Sequence, residues 1–334
     1  MENVILPHFG QQAGAQAAFP STQQIIFETE FRRRTRDLSL VDKLCSHNWK
    51  GRFRGHGVEI RRPVMPLLKS RKRRPGDPVI YQELQGKDET FRINRMRDLA
   101  FHIAVESELF CPQNLESKMN KEAQAQFAED RDLEFFADAP FKAHRCNRGN
   151  FAGIKSGMYE LGTATAPLYI FKTDAEAAAK RATLEHTASA TEAITNMVAA
   201  LEEWPGGSMG EVKVVVPTCI QNRLINSELK YADQMGDQLS VLRKGIKYIG
   251  DIAGANIIGC NQMPMWDVDA ANGLPKRFLC MFLNTQALEF VDEINIDENM
   301  KDKDQYGIFY RTLGIYDWFA SYPELMGYAV IALG

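Results

Sequence analysis

The sequence predicts an α+β fold, because strand and helix patterns are mixed along the chain without the βαβ regularity of a parallel sheet. Three observations carry this prediction. Two short runs of alternating apolar residues enclose a basic stretch and indicate a long β-hairpin. A long amphipathic helix follows Pro112, and short apolar strands then alternate with helices through the rest of the chain.

The size and composition of the chain are those of a folded globular protein. Its 334 residues are 45% apolar and 25% charged, and no apolar run reaches the length of a membrane span. The first residues lack a basic segment followed by an apolar core, so we do not expect a secreted precursor. Six dispersed cysteines and six scattered histidines predict reduced, mostly buried thiols and no zinc site.

Charge is strongly segregated along the chain. Residues 31–97 hold 19 Lys and Arg against 7 Asp and Glu, whereas the remaining residues hold 21 basic and 36 acidic side chains. The near-neutral total of −3 therefore combines a basic segment with an acidic body. Because a two-stranded ribbon alone is marginal in water, we expect the basic hairpin to lie on another surface. The acidic body of a second copy is the surface that suits it.

The hairpin follows an extended N-terminal arm. The arm, residues 1–47, is poor in large aliphatic side chains at first and ends in a predicted short basic helix over 31–47. Alternating residues over 58–61 belong to the outgoing limb, and those over 91–94 belong to the returning limb. The tip, residues 63–78, contains four prolines, which suit a loop or a sheet edge rather than an interior strand.

The returning limb leads into a further strand and then into the most regular helix of the sequence. Alternating apolar residues over 99–105 predict the strand. Pro112 suits a first helical turn, and apolar residues recur every four positions from Leu115 to Phe127. We place this helix at 112–139, with one apolar edge and strongly acidic remaining faces.

Shorter elements follow the long helix. Thr173 and Glu176 offer a capping box for a helical segment that runs to Trp204 with a break near His186. The further predicted strands are Val212–Val216, Ala255–Ile258, Phe278–Leu283, Tyr306–Phe319 and Met326–Leu333. The further predicted helices are Pro217–Leu224 and Thr285–Phe290, with a loop over 264–275 between the strands.

The sequence gives no support for an enzyme. It contains neither the phosphate-binding pattern G-x-x-x-x-G-K-[ST] nor G-x-G-x-x-G after a strand. The acidic cluster of Asp292, Glu293, Asp297 and Glu298 has the pattern of a solvated strand-and-turn face. We therefore predict a protein without catalytic residues, without a metal site and without a cofactor.

The basic hairpin admits three interpretations: a contact between subunits, binding to nucleic-acid phosphates, or a solvated basic face. Few aromatic residues accompany the cluster, only Phe53 and Tyr81, so a single-strand stacking platform is disfavoured and subunit contact is preferred. The predicted interface combines basic residues of the hairpin with acidic residues of the long helix. They are Arg52, Arg54, Arg61, Arg62, Lys69, Arg71, Lys72, Arg73 and Arg74, and Glu122, Glu129, Asp130 and Glu134.

The order of these elements resembles the major capsid protein of tailed double-stranded-DNA bacteriophages, the Hong Kong 97-like fold family. The resemblance covers about residues 41–333, and its most specific pieces are VKVVVP at 212–217 and GDIAGANII at 250–258. It implies an N-terminal arm, an extended β-hairpin loop, a peripheral domain with a long spine helix, and an axial domain. Their implied bounds are 1–47 for the arm, 48–97 for the extended loop, 98–213 with 301–334 for the peripheral domain, and 214–300 for the axial domain.

The resemblance also implies a structural function. The chain would self-assemble into hexamers and pentamers of an icosahedral phage head that encloses packaged double-stranded DNA, with non-specific contact to the DNA. A portal protein and a separate scaffolding protein are the expected partners, with a decoration protein as an optional one. The expected location is the virion, assembled in the host cytoplasm without a membrane. Lys69 and Lys72 lie in the loop that some relatives cross-link, but no partner asparagine matches, so we predict no cross-link.

Two other functions stay open at this stage. The chain could be the shell protein of a cellular nanocompartment of similar fold, which would enclose an enzyme. It could also be a nucleic-acid-binding protein that uses the basic hairpin.

Overall fold

The structure is a computed structural model, and it describes a defined part of the chain. The described residues are 39–47, 59–64, 72, 74, 81, 87–104, 115–207, 210–225, 248–301 and 307–334. Most of the predicted arm and of the hairpin tip lies outside them. Among the helices that the structure describes, none combines the length and the apolar character that a membrane crossing requires.

The predicted hairpin is confirmed for its two limbs. Strand β1 (Glu59–Val64) pairs antiparallel with β2 (Lys87–Arg92), and Glu59 lies opposite Arg92. Each limb has 6 described residues, which corresponds to about 20 Å of extended chain.

The returning limb continues almost directly into a three-stranded antiparallel sheet, as the alternating pattern predicted. Only Ile93 and Asn94 separate β2 from β3 (Arg95–Ala104). Strand β12 (Gly307–Ala320) lies in the middle of this sheet, between β3 and β11 (Leu288–Lys301). The hairpin and the sheet therefore share one continuous stretch of chain.

The predicted helix over Thr285–Phe290 is wrong. Asn284 forms a turn in which its carbonyl accepts a hydrogen bond from the Ala287 nitrogen at 2.8 Å. Leu288 then begins strand β11, and the alternate residues Leu288 and Phe290 are both buried. Six apolar-rich residues do not distinguish a helical turn from a strand, and pairing with β12 decides the outcome here.

One helix precedes the hairpin in the chain, and another follows it. Helix α1 (Val41–Leu44) lies within the predicted basic helix over 31–47, and its Val41 and Leu44 side chains are buried. The predicted end at residue 47 is wrong, because Cys45 is extended and Ser46 forms a β-bridge with Glu289 in β11. Helix α2 (Leu115–Asp138) is the predicted long helix. Pro140 follows α2 in a 3₁₀ turn, which agrees with the predicted end.

The long helix packs closely on the three-stranded sheet. Ala123 and Phe127, two members of the predicted apolar edge, are buried. Gly314 in β12 makes the approach possible, because a Cβ atom there would lie 2.0 Å from Cζ of Phe127. Any larger residue at this position would push the helix away from the sheet.

The second sheet has eight strands and forms the centre of the fold. Its order is β5-β4-β13-β10-β6-β8-β7, with β9 beside β10. The strands are β4 (Leu168–Phe171), β5 (Thr187–Ser189), β6 (Val212–Pro217), β7 (Tyr248–Ile252), β8 (Ala255–Cys260), β9 (Met265–Trp266), β10 (Arg277–Asn284) and β13 (Met326–Leu333). Four of these confirm predicted strands, while β9 lies within the predicted loop over 264–275.

Both faces of the eight-stranded sheet are buried, which explains its nearly continuous apolar strands. Along the strands β6, β8, β10 and β13, buried residues divide between two different core clusters. Val214 and Phe282 share a cluster with the helix at Ala190–Glu202, whereas Val215 and Met281 share the other with the long helix α2. The sheet therefore lies between the helix at Ala190–Glu202 on one face and a mixed group on the other, which includes α2 and buried residues of β11 and β12.

Three further helices lie between strands of this sheet along the chain. Helix α3 (Asp174–Lys180) begins at Thr173, as predicted, and the chain breaks into strand β5 near His186 before α4 (Ala190–Glu202). The reciprocal capping box lies at α4, where Ser189 and Glu192 cap each other. Helix α5 (Thr218–Ile225) confirms the helix predicted after β6.

Two further predictions concern domains and cysteines. The predicted boundary between 98–213 and 214–300 falls inside β6, and the eight-stranded sheet contains strands from both segments. The division into domains stays a prediction. Five cysteines are described, and Cys45, Cys260 and Cys280 are buried, in agreement with the predicted mostly buried thiols.

Candidate subunit interface

Helix α2 presents three chemically different flanks. The buried flank contacts α1 and β11, the second flank faces strand β3, and the third flank faces outward. The predicted acidic interface residues divide between the second and third flanks. What each carboxylate can do therefore depends on its position around the helix.

The flank that faces β3 forms ion pairs within the chain. Arg97 contacts Asp130 at 2.7 Å and Glu134 at 2.6 Å, and Arg95 contacts Asp138 at 2.7 Å. These five side chains are about one-third exposed. The structure thus places two predicted interface residues, Asp130 and Glu134, in contacts that hold α2 to β3.

A tyrosine completes this arrangement. The Tyr316 hydroxyl donates a hydrogen bond of 2.9 Å to Glu134. Burial, together with the neighbouring Glu134 carboxylate, raises the pKa of Tyr316. The hydroxyl therefore keeps its proton and remains a donor at neutral pH.

The outward flank contains the other two predicted carboxylates. Glu122 and Glu129 are exposed, and neither forms an ion pair with any other residue that the structure describes. They lie seven residues apart, which is two helical turns, so they share one face. Leu133, 53% exposed, extends the same face by one turn.

The basic hairpin residues are described only in part. Lys72 and Arg74 are exposed, and their role in a contact between subunits stays a prediction. Arg61 and Arg62 lie in β1, opposite Thr90 and Glu89. The other predicted basic residues are outside the described part of the chain: Arg52, Arg54, Lys69, Arg71 and Arg73.

The base of the hairpin is clamped by Asp317, which the sequence did not single out. Its carboxylate accepts hydrogen bonds from the Asn94 nitrogen at 3.1 Å and from the Trp318 nitrogen at 2.9 Å. Arg95 lies 3.4 Å from the same carboxylate, and its guanidinium stacks 4.0 Å above the Trp318 ring. These contacts fix the direction in which the hairpin leaves the sheet.

A cleft of about 900 Å³ opens beside this clamp. Charged groups line it together with the aromatic edge of β12. The Trp318 indole nitrogen donates a 3.0 Å hydrogen bond to Asp138 at the end of α2, so the cleft wall is tied to the long helix. Side-chain contacts therefore join the hairpin base, β12 and the end of α2 to one another.

The buried flank of α2 holds an ionic node, which we define as Asp42, Arg131 and Asp292. Arg131 is fully buried, donates a short hydrogen bond to Asp42, and lies 3.7 Å from Asp292. Burial raises the pKa of Asp42 despite the nearby guanidinium. The node joins three distant segments: α1, α2 and β11.

The next residue of α2 strengthens the same junction. The Asp132 carboxylate accepts hydrogen bonds from the Ser39 hydroxyl at 2.5 Å and from the Leu40 nitrogen at 2.8 Å. Burial raises the pKa of Asp132, although these hydrogen bonds partly oppose that effect. Asp132 therefore anchors the chain where it enters α1.

The node shows that the predicted solvated position of Asp292 is wrong, and it also brings together side chains that could bind a metal ion. Asp292, predicted to lie on a solvated face, is nearly buried and faces Arg131, because β11 packs beside α2. Asp42, His47 and Asp292 bring potential metal ligands within 4.8 Å of one another. However, the Arg131 guanidinium lies against both carboxylates and would repel a divalent cation, so we interpret the group as a structural ion cluster.

Another motif has the wrong context for catalysis. Sequence reasoning missed this motif and was wrong to expect no G-x-S-x-G pattern: residues 206–210 read Gly-Gly-Ser-Met-Gly and match it. G-x-S-x-G is the pattern of a nucleophile elbow. That elbow requires a strand before the serine and a helix after it. Here the motif follows helix α4 and precedes strand β6, the reverse order. It gives no support for a hydrolase.

Comparison with solved structures identifies the fold. No protein family and no curated protein sequence matches the chain. The capsid of Cyanophage P-SCSP1u matches 89% of this chain over 89% of its own, with a TM-score of 0.57 and 15% identity. The match to the capsid of a native GTA particle covers 97% of this chain and 94% of that chain, with a TM-score of 0.52 and 10% sequence identity. The match to the mature capsid of bacteriophage PhiM1 covers 98% of this chain and 91% of that chain, with a TM-score of 0.50 and 13% sequence identity.

The chain has the fold of bacteriophage capsid proteins over most of its length. Its mixed helices and sheets agree with those structures. The Hong Kong 97-like fold predicted from the order of elements is therefore confirmed.

Proposed function

We propose that this chain is a major capsid protein, which self-assembles into the hexamers and pentamers of an icosahedral phage head enclosing double-stranded DNA. The observation that carries the proposal is the capsid fold, matched over 89% of the chain at a TM-score of 0.57. The charge segregation of the sequence supports it independently, because a basic hairpin and an acidic body suit repeated contacts between identical subunits.

The extended loop is the proposed contact arm. Its basic residues, including the exposed Lys72 and Arg74, would lie on the acidic outward flank of α2 in a neighbouring subunit. Glu122 and Glu129 are the proposed acceptors, because they have no ion pair within the described chain. Asp130 and Glu134 lie beside them, but Arg97 offsets their charge in the ion pairs that hold β3.

Each of these contacts is weak on its own. An exposed ion pair contributes about 0–1 kcal/mol, so no single arginine would hold two subunits together. Many such contacts, repeated around a closed shell, stabilise the whole assembly, and their individual weakness allows misplaced subunits to dissociate.

The remaining parts of the proposal follow the resemblance. Residues 1–47 would be the N-terminal arm, 48–97 the extended loop, 98–213 with 301–334 the peripheral domain, and 214–300 the axial domain. Portal and scaffolding proteins would be partners, with an optional decoration protein, and DNA would be contacted non-specifically. Assembly would take place in the host cytoplasm and the product would be the virion.

Electron microscopy of the purified protein tests the proposal. We expect closed particles of uniform size for the unaltered chain and none for Lys72→Glu combined with Arg74→Glu. The matched control is Lys172→Glu with Lys180→Glu, which changes the charge equally at two exposed lysines of the α3 region. Normal particles from the hairpin variant would show that the basic tip is not an interface.

The same preparation separates the two alternative functions. Co-purification of one specific enzyme inside the particles would indicate a nanocompartment. Monodisperse monomers that bind DNA with a steep salt dependence, lost in the hairpin variant, would indicate a nucleic-acid-binding protein.

A further inference from the structure

The loop that connects the 3₁₀ turns after α2 to strand β4 exposes large apolar side chains. We define the apolar loop as residues 149–162. Within it Phe151 is 83% exposed, Met158 is 77% exposed and Ile154 is 45% exposed. Three such side chains within eight residues exceed the scattered apolar exposure of an ordinary surface and indicate a contact site.

Backbone hydrogen bonds hold the apolar loop in one conformation. Ala152 and Tyr159 pair in both directions, at 2.9 and 3.0 Å, and form a small antiparallel bridge. The Gly153 nitrogen donates to the Cys146 carbonyl at 2.8 Å, which ties the loop to the preceding turn. The exposed side chains are therefore carried on an ordered backbone.

A carboxylate just after the last residue of α4 supports the tip of the loop. Glu203 accepts hydrogen bonds from the Lys155 nitrogen at 2.7 Å and from the Ser156 nitrogen at 3.3 Å. Gly153 has φ +104°, and a Cβ atom there would come within 3.0 Å of Ser156, Tyr159 and Glu203. A loop built this tightly loses little conformational entropy when a partner covers it.

The charge around the apolar loop describes the partner. Residues 139–162 contain four basic side chains, Lys142, Arg145, Arg148 and Lys155, and one acidic side chain, Glu160, which lies 3.5 Å from His186. Arg145 and Arg148 are exposed and form no ion pair with other described residues. An apolar centre with an arginine border is the composition of a protein–protein contact, and its charge calls for an acidic partner surface.

We propose that the apolar loop docks on a second copy of this chain. Outside residues 31–97 and 139–162 the chain holds 17 basic and 35 acidic side chains, so another copy offers the acidic surface that the loop requires. Nucleic acid is a poorer match, because its phosphates leave Phe151 and Met158 uncovered. The inference rests on the proposed function and names one of its contacts.

Sedimentation velocity and electron microscopy test the inference on the full chain. We expect Phe151→Ser with Met158→Ser to weaken self-association at least about tenfold and to abolish particles, with an unchanged thermal unfolding curve. The matched control, Met265→Ser with Val268→Ser, removes two apolar side chains that are 58% and 66% exposed in strand β9 and the segment after it, and should assemble normally.

The possible outcomes separate the inference from the proposed function. Normal particles from the loop variant would overturn the inference and leave the capsid function intact. Self-association of the unaltered chain without particles, lost in the loop variant, would support the inference while the capsid function fails. A chain that stays monomeric at every concentration would overturn both.

A charge variant distinguishes the remaining partner. Arg145→Glu with Arg148→Glu should weaken self-association, in the same direction as the apolar variant. Loss of DNA binding by this variant, with self-association unchanged, would assign the surface to nucleic acid and overturn the inference.

Discussion

The outward flank and the β3 flank of helix α2 carry the same kind of residue and use it differently. On the β3 flank, Glu134 lies 2.6 Å from Arg97 and also accepts a hydrogen bond from Tyr316. On the outward flank, Glu122 and Glu129 are exposed and have no ion pair within the described chain. The acidic character of the helix therefore has two parts, one that holds the subunit together and one that is available to a neighbour.

The buried flank of the same helix adds a third case. Arg131 and Asp132 are buried and join α2 to α1 and β11. A charged group on this flank cannot return to water when its partner is removed, whereas a group on the outward flank can. Removing a charged side chain should therefore lower the free energy of unfolding most on the buried flank, less on the β3 flank and least on the outward flank.

The largest effect is expected at the node. Arg131→Ala leaves Asp42 and Asp292 buried without a counter-charge and should lower the free energy of unfolding by about 3–5 kcal/mol, measured by urea denaturation. The matched control is Arg181→Ala, which removes the same side chain from an ion pair with Glu192 that is 56% and 39% exposed. That variant should change stability by about 0–1 kcal/mol. Equal effects would contradict the difference between the flanks.

An intermediate effect is expected on the β3 flank. Arg97→Ala removes the contacts to Asp130 and Glu134, and it should lower the free energy of unfolding by about 1–3 kcal/mol, since hydrogen bonds to charged groups contribute in that range. Met96→Ala is the neighbouring control, because Met96 is 65% exposed and should change stability by less than about 0.5 kcal/mol. A neutral Arg97 variant would mean that solvent screening cancels the pairs.

The order of elements could be predicted from sequence because it depends on local patterns. The alternation in the hairpin limbs, the four-residue spacing from Leu115 to Phe127, and the apolar strand at Val212–Val216 all reflect one buried face per element. The long helix, the hairpin and most strands followed from those patterns. The short apolar segment at Thr285–Phe290 lacked a period long enough to decide, and tertiary pairing made it the start of a strand.

The site could be predicted only in outline, because ion pairs between distant segments have no local signature. The acidic helix and the basic hairpin were visible in the composition, but Arg95 and Arg97 were counted with the hairpin rather than as partners of α2. One signal did exist for the node. Arg131 continues the apolar spacing of Ala123 and Phe127, so a charge occupies a position that the pattern reserves for a buried side chain.

The pH dependence of the unfolding free energy tests how burial affects the Asp132 carboxyl on the buried flank. Burial raises the pKa of Asp132 above its usual value, so near that value the folded carboxyl keeps a proton that the unfolded chain has released. Its contribution to stability is therefore greatest at low pH and is lost as the pH rises through the raised pKa. The difference in unfolding free energy between the unaltered chain and Asp132→Asn should shrink from about pH 4 to pH 7. A difference that grows instead would mean that the hydrogen bonds from Ser39 and Leu40 outweigh burial.

The smallest effect on the subunit, and the most informative for assembly, is expected on the outward flank. Glu122→Lys with Glu129→Lys should change the unfolding free energy by less than about 0.5 kcal/mol, because neither carboxylate has a partner to lose in the described chain. The same variant should fail to form particles, since the proposed acceptor surface has reversed its charge. Mixing it with Lys72→Glu, Arg74→Glu subunits restores opposite charges at half of the contacts and should recover part of the assembly seen by electron microscopy. Recovery only with unaltered subunits would place the hairpin on a different surface.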